Sequence, residues 1–468
     1  MPHNNPPAPT SVSKLCAYAG PRYGLLGVAS SLTQTPLENR KLITELVIRP
    51  AQEGPPGRPF FHPKEIPLLF SVLPNLTDLQ ICAIDFAAVS VNDLLKVTSS
   101  SSRYRLKHLT LESLSAPTTP TRVTKWKSSA DLIVAFATLF SLFEEINHLE
   151  IFGCGGIWEE DYDEALQRLP TILPRNHTIR VSSFDISTDS SEPVLAPLLG
   201  LLDHLFVPQL LENLCAKQIW DFNDVPYIIP LLRHGNIKNL IFNLSGTLDN
   251  ELNRLEPSHD MMASLAHACT GQLERIFLRI TRTDNAAPAV MVTEICTALT
   301  IISLLPVYDN LIEIELSFDM RGEETKEKLI RALVGTREHW KLIDQKLESE
   351  FPDLELVTIR FEDNCGEGFN SEAFQDSNDN QATEFDSEDD MTDDTTGLRR
   401  KLVQFECAHG TQQTSVTHPM QLCQFHDTSI SIDPKKDFFK DIFSSFFADT
   451  MVHLREQNKL HTINEPAP

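Results

Sequence analysis

The feature that most constrains this chain is a short motif of spacing L-x-x-L-x-L, with Ile, Val, Phe or Ala standing in for Leu, that recurs along most of its length. Clear copies are Leu76/Leu79/Ile81, Leu106/Leu109/Leu111, Ile146/Leu149/Ile151, Leu211/Leu214/Ala216, Ile237/Leu240/Phe242, Leu273/Ile276/Leu278, Leu311/Ile314/Leu316 and Leu354/Val357/Ile359. Weaker copies sit at Ile43/Leu46/Ile48 and around Ile179/Val181. Successive copies start about 35 residues apart, a period that marks stacked supersecondary units. Between them, residues 62–74, 129–143, 192–206, 259–271 and 324–347 space their apolar residues as helices do. Each unit is therefore a short strand followed by a helix, and neither surface is buried until the next unit stacks on it. The predicted fold is α/β: a strand–helix solenoid over 41–362 with about ten strands, irregular repeats and a parallel sheet on its concave face.

A doubly wound α/β domain would also alternate strands and helices, but its strands, covered on both faces, read as continuous apolar runs. Here HLTLES and EIELSF alternate apolar with polar, so one strand face is open. All-helical repeats have no strand slot for LERIFLRI or LELVTIRF. The open face is where binding residues would stand. Phe152 and Phe277 are apolar at outward positions, and Arg275 with Arg279 flank Phe277, the aromatic and Arg composition enriched at protein interfaces. These four residues are the predicted partner-binding set, against the simpler reading that the chain's own loops cover them.

Charge narrows the function classes. Of 468 residues, 40 are Lys or Arg and 65 are Asp or Glu, a net charge of -25 that repels polyanions and disfavours nucleic-acid or anionic-membrane binding. The charge is concentrated: residues 363–398 hold 12 acidic residues and no basic one, and read as a disordered linker. Ser387, followed by Glu388, Asp389 and Asp390, is a candidate site for an acidophilic kinase. Residues 1–40 read as a partly disordered lead-in. In the tail, 399–468, Phe439, Ile442, Phe443, Phe446, Met451 and Leu454 predict an amphipathic helix over 437–460 that covers the last repeats.

The 9 cysteines are well separated, odd in number and without a Cys-x-x-Cys pair, and no signal-peptide pattern or membrane-spanning run is present, so a reduced, cytoplasmic or nuclear location is expected. Cys407, His409, Cys423 and His426 have zinc-ligand types, but their spacing is not that of a familiar finger, and ordinary strand pairing is the simpler reading. No metal or cofactor is expected from them. No P-loop, G-x-G-x-x-G, H-E-x-x-H or G-x-S-x-G motif occurs. The run Gly153-Cys154-Gly155-Gly156 is followed by IWEEDYDE, which would repel phosphate, and reads as a repeat turn. The chain is expected not to be an enzyme.

The segments LPNLTDLQICAIDF (73–86), RLKHLTLESLS (105–115) and SLTQTPLENRKLITELVIRP (31–50) resemble fungal leucine-rich-repeat proteins of the F-box type. That resemblance covers residues 30–362. It implies a protein-binding array that serves as substrate receptor of a cullin-RING ubiquitin ligase, with the ligase adaptor among its partners. Two departures stand out: the ninth motif position, Asn or Cys in the family, is matched only by Cys154, and the first 40 residues lack a Leu-Pro-x-Glu-like F-box start. A ligase receptor, a scaffold without a ligase link and an enzyme with an unrecognised site all stay open.

Overall fold

A computed structural model describes residues 13–20, 24–51, 59–87, 89–99, 102–114, 130–154, 173, 178–187, 195–218, 225–243, 259–268, 272–281, 288–320, 323–363 and 445–466. The chain divides into two units, Met1–Cys365 with Gln424–Pro468, and Gly366–Cys423. The second unit lies outside the described residues, as do Ser387, Cys407, His409, Cys423, His426 and nearly all of the acidic segment 363–398.

In the first unit, twelve strands form one sheet: β1 (Lys14–Ala19), β2 (Glu45–Pro50), β4 (Asp78–Cys82), β6 (Tyr104–Glu112), β7 (Phe143–Phe152), β8 (Arg180–Ser187), β9 (Asn213–Gln218), β10 (Asn239–Asn243), β11 (Arg275–Thr281), β12 (Glu313–Met320), β13 (Leu356–Asp363) and β14 (Leu460–Pro466). A parallel pair, β3 (Phe60–Phe61) and β5 (Asp85–Phe86), stands apart. Every neighbouring pair in the large sheet is parallel, and spatial order follows chain order. Parallel strands laid down in sequence need a crossover each time, and crossovers of one hand put the helices on one face. This is the α/β strand–helix solenoid that the motif predicts.

The register explains the motif. Leu46, Leu79, Leu109, Leu149, Phe184, Leu214, Leu240, Ile276, Ile314 and Val357 stand side by side across ten strands. None of them is more than 2% exposed. The last motif position forms a second buried row, from Ile48 and Ile81 to Leu316 and Ile359. Helices Ala130–Phe140, Leu195–Leu205, Val225–His234 and Pro288–Leu304 close this side, with Phe136, Phe140, Leu202, Leu232, Leu299 and Ile302 sealed from solvent. No helix among the described residues is long and apolar enough to cross a membrane.

Four expectations are corrected. The weak copy around Ile179/Val181 is in fact Val181/Phe184/Ile186, with Val181 opposite Ile146; a serine pair, Ser182 and Ser183, and a bulky Phe disguise the spacing. The predicted helix 324–347 is two helices, Glu323–Gly335 and Arg337–Glu350, divided at Thr336. The array does not begin at 41. Strand β1 and helix Gly24–Thr33 belong to it, with Leu25, Val28 and Leu32 buried. Gly24 adopts φ +46°, and a Cβ there would come within 1.9 Å of the Phe60 carbonyl oxygen, so the lead-in is packed against β3. Small residues hid it: KLCAYA alternates, but Ala17 and Ala19 fill two of its three inward positions, beside Leu15.

The fourth correction concerns the helix 437–460. Residues 445–450 and Val452–Glu456 are helical, but the chain then turns through Asn458 at φ +56° and enters β14 beside β13. The segment still docks on the last unit. Phe447 is buried against Trp340, their rings 5.0 Å apart and nearly perpendicular, and Trp340 Nε1 donates to Thr336 Oγ1 at 3.1 Å. Buried Asp344 accepts from the backbone N–H of His453 and of Leu454, each at 3.0 Å, and lies 2.8 Å from His453 Nδ1. Two orphan amides at a helix start thus receive a charged acceptor.

Three turns that follow strands are held by backbone hydrogen bonds. Ala83, Ser113 and Gly153 each follow a strand with φ near +50°, at 51°, 51° and 54°. Their N–H groups donate to the carbonyls of Glu112, Phe152 and Ser187 on the next strand, at 2.8, 2.7 and 3.0 Å. The ninth motif position then points inward: Ile84 and Leu114 are sealed, and Cys154 is 7% exposed with its thiol 3.6 Å from the Leu111 carbonyl. In these three turns an inter-unit backbone hydrogen bond and a buried side chain at the ninth motif position hold the chain.

Two outcomes are expected. Phe447→Ala should lower unfolding stability by about 3–5 kcal/mol, as for other fully buried Phe, while exposed Val452→Ala should change little in the same denaturation series. The carboxylate of Asp344 raises the pKa of His453 above its ordinary 6.5. The stabilisation from protonated His453 is therefore complete below pH 6.5 and disappears as pH rises through the elevated value. The melting-temperature gap between wild type and His453→Ala should narrow over that rise; a constant gap would exclude the linkage.

Candidate functional site

On the face opposite the helices, in-register pairing turns each outward motif position into a row of neighbours. One row runs Asp78, His108, His148, Ser183, Asn213, Asn239, Arg275, Glu313. The next runs Gln80, Thr110, Glu150, Asp185, Cys215, Ile241, Phe277, Glu315. Adjacent strands stand about 4.8 Å apart, so each side chain meets its own counterpart in the next unit.

The rows divide into two patches. Over β4 to β8 the patch is acidic and imidazole-rich. His108 Nδ1 contacts the Asp78 carboxylate, and the His108 and His148 rings lie 5.5 Å apart. Gln80 Nε2 donates to Glu112 at 3.2 Å, and Thr110 Oγ1 donates to Glu150 Oε2 at 3.0 Å. His148 Nε2 lies 3.2 Å from Glu150 and 3.6 Å from Asp185.

Over β10 to β13 the patch mixes apolar groups with ion pairs. Ile241 is 37% exposed and stands beside half-buried Phe277. Exposed Arg275 meets Glu313 at 3.3 Å, and Arg360 meets Glu315 at 2.9 Å. The predicted set is therefore only partly assembled. Arg275, Phe277 and Arg279 share one strand and one face, whereas Phe152 ends β7, four strands and roughly 19 Å away at ordinary strand spacing. Phe152 and Arg279 are half-buried rather than exposed.

Cys82, Cys215 and Ser317 hold outward positions yet are only 5–6% exposed, each a short side chain between in-register strands. Burial pushes the Cys82 thiol up to about 12, aided by Glu112, so it stays protonated at neutral pH and is a poor nucleophile. The residue that sequence reading missed is Asp185. It hid in the misplaced repeat copy, although the alternation of Phe184, Asp185 and Ile186 marks it as outward once the register is set.

Compared with known proteins, the chain matches no family model and no curated protein. Among solved structures it is similar to the leucine-rich repeat-containing protein LegL7 from Legionella pneumophila, at 12% identity and a TM-score of 0.32, over 74% of this chain and 90% of that one.

Leu278→Ala is expected to lose about 2–5 kcal/mol by opening a cavity beneath the sheet. Phe277→Ala, one position along on the open face, should lose less than half as much; equal losses in parallel melts would mean that the face is covered.

Proposed function

We propose that this chain is a binding scaffold whose open sheet face takes another protein, with β10 to β12 at the centre of contact. The observation that carries this reading is Ile241 and Phe277, side by side on the solvent-facing row, with Arg275 beside them. Apolar and aromatic side chains rimmed by Arg form the residue mixture of interface hot spots. A rigid sheet presents them without loop ordering, which lowers the entropy cost of association.

The finer form of the proposal is a substrate receptor of a cullin-RING ubiquitin ligase, acting in the cytoplasm or nucleus. What supports it is the resemblance of the array to fungal F-box proteins, and it adds the ligase adaptor to the partners. An enzyme is the weaker alternative, because the catalytic motifs sought in the sequence are missing and the Cys82 thiol is held protonated.

The test is affinity purification of the full chain alongside Phe277→Ala and Arg275→Ala variants of matched stability. Loss of a specific co-purifying protein from both variants, with at least a tenfold weaker Kd in titration, is expected of hot-spot residues. Retention at full strength would overturn the assignment of the face. Recovery of the adaptor with the wild-type chain supports the ligase role; its absence leaves the scaffold.

A further inference from the structure

The acidic half of the open face brings one imidazole and two carboxylates together on adjacent strands. His148 and Glu150 are two residues apart on β7, so the pleat puts both side chains on one face. Asp185 is the register partner of Glu150 on β8, which sets the two carboxylates side by side. Three acceptor-bearing groups converge: one ligand atom from each lies within 4.8 Å of the other two. His148 Nε2 is 3.2 Å from Glu150 Oε1 and 3.6 Å from Asp185 Oδ1. That nitrogen is sealed from solvent and makes no hydrogen bond.

We propose that His148, Glu150 and Asp185 bind a divalent transition-metal ion, zinc being the ion that this donor set favours. Two separations decide the size of the ion. Around a tetrahedral zinc with bonds of about 2.1 Å, ligand atoms stand about 3.4 Å apart, and the two measured distances bracket that value. An imidazole nitrogen between two carboxylate oxygens selects a borderline ion over magnesium or calcium, which take oxygen donors throughout. A buried ring nitrogen that makes no hydrogen bond and faces two carboxylates is satisfied, together with both of them, by one bound metal ion.

The surroundings hold the donors in place. Thr110 Oγ1 donates to Glu150 Oε2, leaving Oε1 turned toward His148. The His108 ring lies against His148 from the adjacent strand and is itself fixed by Asp78. The site stands on rigid strands, with side-chain exposures of 28%, 28% and 13% for His148, Glu150 and Asp185. A fourth position can therefore be filled by water. It lies on β7 and β8, apart from Phe277, so it stands or falls independently of the protein-binding proposal.

The experiment is titration of the metal-stripped full chain with zinc by calorimetry, repeated with cobalt followed by absorption. The expected result is a site whose cobalt complex shows visible d–d bands without thiolate-to-metal charge transfer, which separates it from any thiolate site at Cys407 and Cys423. Asp185→Asn and Glu150→Gln should each weaken zinc at least tenfold, while magnesium at the same concentration gives no heat. Thermal melts of the metal-stripped variants check that they fold, and zinc should raise the melting temperature of the wild type more than theirs. Should either variant fail to fold, His148→Gln, altered at a solvent-side position, carries the comparison. Zinc binding seen only with thiolate charge transfer, no binding at all, or affinity indifferent to the substitutions would overturn the proposal.

Discussion

The contact on which everything else depends is the lateral one between the same motif position in successive units. Leu149 is buried because Leu109 and Phe184 stand beside it and a helix lies over it; alone, its strand would expose an apolar face. A chain built in this way has no single centre to its core. Each strand is covered laterally by the unit before and the unit after, and the end units need something else. At the C-terminal end, Asp344, Trp340 and Phe447 draw in the segment that supplies β14, completing the hydrogen bonds of β13. At the other end the inward row of β1 is Leu15, Ala17 and Ala19, so two of its three inward side chains are small.

How much of this could be read from the sequence depended on the size of the inward side chains. Where Leu or Ile fills every inward position, as at Leu106/Leu109/Leu111, the motif alone set strand, face and register. Where Ala fills two of the three inward positions, as in β1, the alternation carries too little hydrophobic contrast to stand out. At β8 the Phe184 ring occupies a leucine slot and two serines precede it, so the copy was placed several residues early and Asp185 was passed over. The terminal strand β14 went unpredicted: the helix expected over 437–460 stops where Leu460–Pro466 begins, and the left-handed Asn458 that turns the chain into the strand has no apolar signature.

The open face shows the limit of single-position reasoning. Outwardness is a property of one residue, and it can be read from parity along a strand. Neighbourhood is a property of three strands, and it required the register. Phe152 and Phe277 look alike in sequence, but one ends a strand in the acidic half and the other sits in the apolar half. His148 and Glu150 look like two polar residues among many until Asp185 is placed against them.

The route from β13 to β14 has a topological consequence. Both ends of the stretch 364–444 attach to the same unit, one to the last residue of β13 and the other to the helical turn carrying Phe447. That stretch is therefore a closed excursion rather than a tail. A protease cut there would leave a non-covalent complex of two fragments. The smaller fragment would be held by the parallel ladder and the Trp340 contact, and its release would follow mass action, falling off on dilution rather than at the moment of cleavage.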